Sequence, residues 1–272
     1  PPPPPKPVIN SCATYFFPAI WVGKLPRKTF KEKARRSLVF PRKALSLKYK
    51  DRVVVVNQDG LIAIGEESIP KATRMLNEIM ATFLLMGIKA SAIRELEMCE
   101  AKIDASSLAL TQWGTRTHTL RTQLFDWFPS MQQMFEYRIE IKKEKLIRVI
   151  KQAARISRDP DISDFLTFFL QAHTHLKNSE YSQSFIMSWV IVERQMYWLW
   201  NKFLREEQIS SKRIKKLTFP AIWSIDFVLE ALNLGGQLSK GECDGLMSLK
   251  NKRNDIIHHG EGTAYEEAEK CF

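Results

Sequence analysis

The break at Arg158-Asp159-Pro160 constrains this chain more than any other feature. Before it, short apolar runs alternate with turn residues. After it, strand signals vanish and apolar residues recur at helical spacing to the end. Proline interrupts a helix and biases the residue before it toward extended backbone, so a boundary is expected there. The expected fold class is an α+β N-terminal domain followed by an all-α helical bundle, and 272 residues are enough for two cores. The expected division is a Pro-rich, extended lead-in over 1–25, a basic α+β domain over 26–158 that senses a trigger or grips substrate, and a helical domain over 159–272.

Within the first domain, Val53–Val56 and Leu61–Ile64 flank Asn57-Gln58-Asp59-Gly60 and read as a hairpin. Ser68 and Pro70 start a helix that Gly87 stops. Alternation over 93–103 suggests a half-exposed strand, and 130–158 reads as one long amphipathic helix. Beyond the break, helices are expected around Ile162–Leu176, Tyr181–Arg205 and Ile222–Leu232. A fourth runs from the capping-box pair Ser239 and Glu242 to about His258 with Gly260 as its stop, and a short last one covers Ala264–Phe272.

The net charge of +11 lies entirely in the first part of the chain: residues 1–150 carry 25 Lys and Arg against 14 Asp and Glu, and residues 151–272 carry 16 against 16. Lys24 to Arg52 holds most of the excess. Arg27, Lys28, Lys31, Lys33, Arg35, Arg36, Arg42 and Lys43 are the candidate contacts to a polyanion such as RNA. A solvated basic segment is the plain alternative.

Cys12, Cys99, Cys243 and Cys271 are spread too widely for a C-x-x-C metal site, which argues for a reducing compartment, cytoplasmic location and no bound metal or cofactor. No segment is apolar enough to span a bilayer, because Glu193, Arg194 and Lys202 interrupt the most apolar run. Glycine-rich phosphate loops and G-x-S-x-G are absent. His173 and His175 lie two apart on a helix and face different ways, which is poor geometry for a metal pair.

The chemistry-bearing segment is Lys250 to Gly260, where Arg253, Asn254 and His258 form R-N-x-x-x-H. An imidazole moves protons in either direction near neutrality, and a guanidinium fork fits the non-bridging oxygens of a phosphate transition state. Asn254, four residues before His258, could orient the imidazole or touch a ribose. His259 is a possible second proton carrier. Glu193 and Asp255 are possible partners of Arg253. On an unbroken helix Arg253 and His258 stand about 140° apart, and Arg253 falls instead on the stripe of Leu246, Leu249 and Ile257. A half-buried Arg on such a stripe suits a two-fold interface. The structural alternative is a pair of histidines favoured by the negative end of a helix dipole, with Arg253 in an ion pair.

On these residues, roughly 160–272 resembles the HEPN domains, helical bundles with an R-x(4–6)-H motif late in the domain. The resemblance implies a metal-independent endoribonuclease, homodimeric, with two motifs lining one cleft, in a toxin, antiphage-defence or RNA-processing setting. It implies catalytic positions for Arg253 and His258 and the polar position for Asn254. The family also contains members that bind without cutting. Two functions are therefore expected: a ribonuclease producing 2′,3′-cyclic phosphate ends, with a regulatory partner or trigger acting on the N-terminal domain, or a non-catalytic RNA- or nucleotide-binding or assembly module.

Overall fold

The computed structural model describes residues 7–25, 43–113, 138–219 and 222–272. They divide into two compact units, with the division in the chain between Leu170 and Gln171. The first is α+β. Its six-stranded antiparallel sheet has the order β3 (Lys43–Tyr49), β4 (Arg52–Asn57), β5 (Leu61–Ile64), β1 (Val8–Tyr15), β6 (Cys99–Asp104), β7 (Leu110–Trp113). A separate parallel pair joins β2 (Ile20–Val22) to β8 (Ile139–Ile141).

Alternation along the strands sends Cys12, Val54, Val56, Ile62 and Ile64 to one face and Ala13, Val55, Leu61 and Ala63 to the other. The first set packs with Leu76, Ile79 and Phe83 of α1 (Ile69–Leu85) and Leu146, Val149 and Ile150 of α2 (Lys143–Ile156). The sheet curls so far that Lys43, on the β3 edge, donates a hydrogen bond to the carbonyl of Ser107 between β6 and β7. The β4–β5 hairpin forms as expected, and its turn depends on Gly60: φ is +83°, and a Cβ there would lie 2.9 Å from the carbonyl oxygen of Ile20.

Four expectations need correction. Residues 8–15 and 20–22 are strands of the sheets rather than a lead-in, because their alternating side chains are buried on both faces. The expected helix over 130–158 is β8 followed by α2; its start, 130–137, lies outside the described residues. The strand expected over 93–103 begins only at Cys99, as β6 with alternating burial; Glu95–Glu97 before it form a 3-10 turn. Nor does the unit boundary coincide with Arg158-Asp159-Pro160. Pro160 does start α3 (Pro160–Lys177), but Leu166 and Leu170 of that helix are buried in the first unit's core.

One carboxylate ties the first unit together. Glu78 of α1, 1% exposed, accepts hydrogen bonds from Tyr49 Oη, Lys50 Nζ at 2.8 Å and Ser163 Oγ. Strand β3, the β3–β4 turn, α1 and α3 therefore converge on a single side chain. Lys50 pays a conformational cost to take part, since its φ of 53° lies in the left-handed region.

The elements of the second unit's described residues are all helices: the end of α3, then α4 (Tyr181–Glu206), α5 (Ser211–Leu217), α6 (Ile225–Leu234), α7 (Lys240–Asn254) and α8 (Tyr265–Cys271). Helix α5 was not expected, because seven residues, five of them polar, show no usable period. Phe185 and Trp189 of α4 pack with Ile225 and Leu229 of α6, Cys243 of α7 and Cys271 of α8. No described helix is long and apolar enough to cross a membrane.

Glu78→Ala should destabilise the first unit by about 3 kcal/mol, because it strands three donors that the carboxylate now satisfies. Tyr49→Phe should cost about 1 kcal/mol. Urea unfolding of the full chain, followed by circular dichroism, measures both; equal midpoints for wild type and Glu78→Ala would contradict the assignment.

Candidate functional site

Helix α7 begins as its sequence demands. Ser239 Oγ accepts from the backbone N–H of Glu242 at 3.3 Å, and the Glu242 carboxylate accepts from the Ser239 N–H at 2.8 Å. The Ser239 hydroxyl, which also donates to the Glu242 carboxylate at 2.7 Å, and the Ser239 N–H together hold that carboxyl below its ordinary range. Further along, Lys250 pairs with Asp226 of α6 at 2.9 Å, and Lys252 reaches Glu267 of α8 at 3.5 Å. The helix that carries the motif is thus tied to its neighbours on two sides.

At Asn254 the backbone changes class. Residues Asp255–His259 form a single π turn, closed by Gly260 at φ 67°, whose N–H donates to the carbonyl of Asp255. Hydrogen bonds of the i→i+5 type widen the helix, so residues five apart stack more nearly over one another than they do in an α-helix. Arg253 and His258 are five apart. The separation of about 140° expected on an unbroken helix therefore does not carry over to this backbone, in which a π turn begins after Asn254.

The π turn is fixed from beneath by Ile256, 8% exposed in the cluster with Phe185 and Trp189, whereas Ile257 is 45% exposed. This corrects the expected stripe. Residues seven apart return to nearly the same face of an α-helix, so the residue aligned with Leu249 is Ile256.

The side chains divide by role. Arg253 is half-buried, and its Nη1 donates to Asn254 Oδ1 at 2.9 Å. Asn254 therefore positions the guanidinium and not the imidazole. His258 and His259 are exposed, and among the described residues neither ring has a hydrogen-bond partner. Glu193 accepts from Trp189 Nε1 at 3.0 Å, and Asp255 is half-buried; neither pairs with Arg253. The guanidinium thus has no acidic partner among the described residues, and its charge is available to an anion.

Of the basic set, only Lys43 lies within the described residues, in β3; Arg27, Lys28, Lys31, Lys33, Arg35, Arg36 and Arg42 lie outside them. His173 rests against Phe272 with centroids 5.9 Å apart, and His175 Nδ1 lies 2.5 Å from Glu180. No cluster of three His, Cys, Asp or Glu with metal-binding geometry occurs among the described residues. All four cysteines are buried free thiols; burial pushes Cys12 up to about 11 and Cys271 up to about 12, which makes both poor nucleophiles.

One buried polar group in the first unit has no signature in the sequence. Tyr15 Oη donates to Asp59 Oδ2 at 3.2 Å, the Leu61 N–H donates to Oδ1 at 3.2 Å, and Arg138 Nη1 donates to the Asp59 carbonyl at 2.6 Å. Burial pushes the Asp59 carboxyl up. The Asp-Gly pair signals a turn, but nothing in it marks the partners at positions 15 and 138.

Compared with protein-family models, with curated proteins and with solved structures, the chain matches none of them. The residues themselves carry the functional reading.

Gly260 closes the π turn in a left-handed conformation with open space where a Cβ would go, so only backbone strain opposes a side chain there. Gly260→Ala should cost about 1 kcal/mol and Gly260→Asn less, since asparagine tolerates this region. Thermal unfolding of the three proteins gives the order; identical midpoints would contradict the left-handed cap.

Proposed function

We propose that the protein is a metal-independent endoribonuclease acting through Arg253 and His258. The observation that carries this reading is the arginine itself: half-buried, with no acidic partner among the described residues, it stands five residues before an exposed imidazole that lies in a π turn. In the proposed reaction the 2′-hydroxyl loses its proton and attacks the adjacent phosphorus. The 5′-oxygen leaves and takes up a proton, giving a 2′,3′-cyclic phosphate and a 5′-hydroxyl end. His258 transfers protons, Arg253 neutralises the charge that develops on the non-bridging oxygens, and Asn254 holds the guanidinium in place. Asn254 Nδ2 is a donor suited to a ribose or phosphate oxygen.

The resemblance of residues 160–272 to HEPN domains supports the same chemistry and adds a homodimer in which two motifs share a cleft. A half-buried arginine near the subunit surface suits that arrangement. The basic stretch around Lys24–Arg52 supports an RNA substrate, with the first unit gripping it or sensing a trigger. A defence, toxin or RNA-processing setting belongs to this reading.

A second reading has its own observation. Catalytic imidazoles are usually oriented by another group, and His258 has none among the described residues. A non-catalytic RNA- or nucleotide-binding or assembly module would need no such group.

Purified protein incubated with total tRNA and a mixed-sequence RNA in excess EDTA separates the two. The ribonuclease produces fragments with cyclic-phosphate ends. His258→Ala should then lower the rate by about 10²–10⁴ and Arg253→Ala by about 10²–10³, with folding and RNA affinity retained. Equal cleavage by wild type and both variants removes these residues from the reaction, and binding without cleavage by wild type favours the module.

A further inference from the structure

The helical unit has a second surface of unusual composition, separate from the motif. Helix α5 presents Lys212, Arg213, Lys215 and Lys216, all exposed, with no acid in the helix. Among the described residues none of the four side chains has an ion-pair partner. The two apolar side chains of α5, Ile214 and Leu217, pack instead with the core cluster of Trp200, Leu204, Val228 and Leu232.

From that cluster a series of aromatic rings runs out to solvent. Phe203 stacks on Trp200 with centroids 5.8 Å apart, Trp200 stacks on Trp223 at 5.1 Å, and Trp223 meets Phe227 edge-on at 6.5 Å. Hydrogen bonds hold the series rigid: Trp200 Nε1 donates to the carbonyl of Leu217, the last residue of α5, at 2.8 Å, and Tyr197 Oη donates to the carbonyl of Trp223 at 3.2 Å. The series ends on Phe227, which is 61% exposed; Phe219, two residues beyond α5, is 54% exposed. Exposed rings and unpaired cations are therefore anchored to the same tryptophan.

We propose that this surface docks single-stranded RNA, with backbone phosphates on the α5 cations and an unpaired base against Phe227. The inference rests on the reading of the protein as one that acts on RNA, but it uses none of the motif residues. Its logic is charge complementarity joined to stacking: a base offers a π face to an exposed ring, and the strand carries one phosphate per nucleotide to the cations. Flexible single strands satisfy both at once, whereas a duplex keeps its bases covered. An anionic bilayer fits less well. Membrane-surface helices insert an apolar face, and the apolar side chains of α5 are already used in the core.

The test uses the full chain carrying His258→Ala, so that RNA is not consumed, and a fluorescent 20-nucleotide single strand in EDTA at several salt concentrations. On that background, Phe227→Ala should weaken binding about tenfold and Phe227→Tyr should restore it. The triple variant Lys212→Ala, Lys215→Ala, Lys216→Ala should reduce the slope of log affinity against log salt by about 2. Unchanged melting temperatures show that the variants fold. Affinity and slope both equal to the parent overturn the proposal, as does loss of phosphatidylserine-vesicle binding in the triple variant with RNA affinity intact. A wild type that never cuts RNA, with both variants still weakening binding, leaves the docking surface standing and removes only the ribonuclease reading.

Discussion

Strand β1 is the constraint on which the first unit depends. It pairs with β5 through Cys12 to Tyr15 and with β6 through Val8 to Ala13, and so joins two groups of strands that would otherwise each end in an open edge. A central strand must satisfy backbone donors and acceptors on both sides, and unpaired edges invite association with other chains. The sheet therefore becomes continuous only when a segment near residue 10 meets partners near residues 62 and 101. These are long-range pairings, which form slowly because loop closure must precede them. Glu78 reinforces the result from the helical side: donors from two segments far apart in sequence, Tyr49 with Lys50 and Ser163, supply its hydrogen bonds, and neither segment alone could keep a carboxylate in so dry a position.

Legibility in the sequence followed the range of the interactions. The β4–β5 hairpin, the start of α1 at Ser68, the capping box at Ser239 and the glycine stop at Gly260 are set by neighbours within a few residues, and all were readable. Strand β1 was not, because its eight residues follow a proline run and its partners lie far along the chain. Strand β8 was hidden in a similar way: Ile139–Ile141 sits at the head of a helical pattern, and only its pairing with Ile20–Val22 makes it a strand. Helix α5 was too short and too polar to show a period.

The candidate site was legible in its residues and illegible in its geometry. R-N-x-x-x-H can be read directly, but helix arithmetic at 100° per residue set Arg253 and His258 on different faces. No propensity scale marks Asp255–His259 as a π turn, since the feature is a choice among hydrogen-bond partners for the same backbone groups. The partner of Asn254 was equally hidden. Spacing favoured His258, four residues on, but the long side chain of Arg253 folds back to its immediate neighbour.

The π turn also bears on how freely this motif can vary. A π turn accommodates one residue more than the α turn it replaces. If one residue between Asn254 and His258 were lost and the backbone returned to α geometry, the arginine and histidine would stand four apart, a spacing that already shares a face. Helix geometry and residue count can therefore compensate for each other. What sets the relation of the two side chains is then not only the interval in the sequence but also the capacity of the helix end, anchored by Ile256 and closed by Gly260, to absorb an insertion.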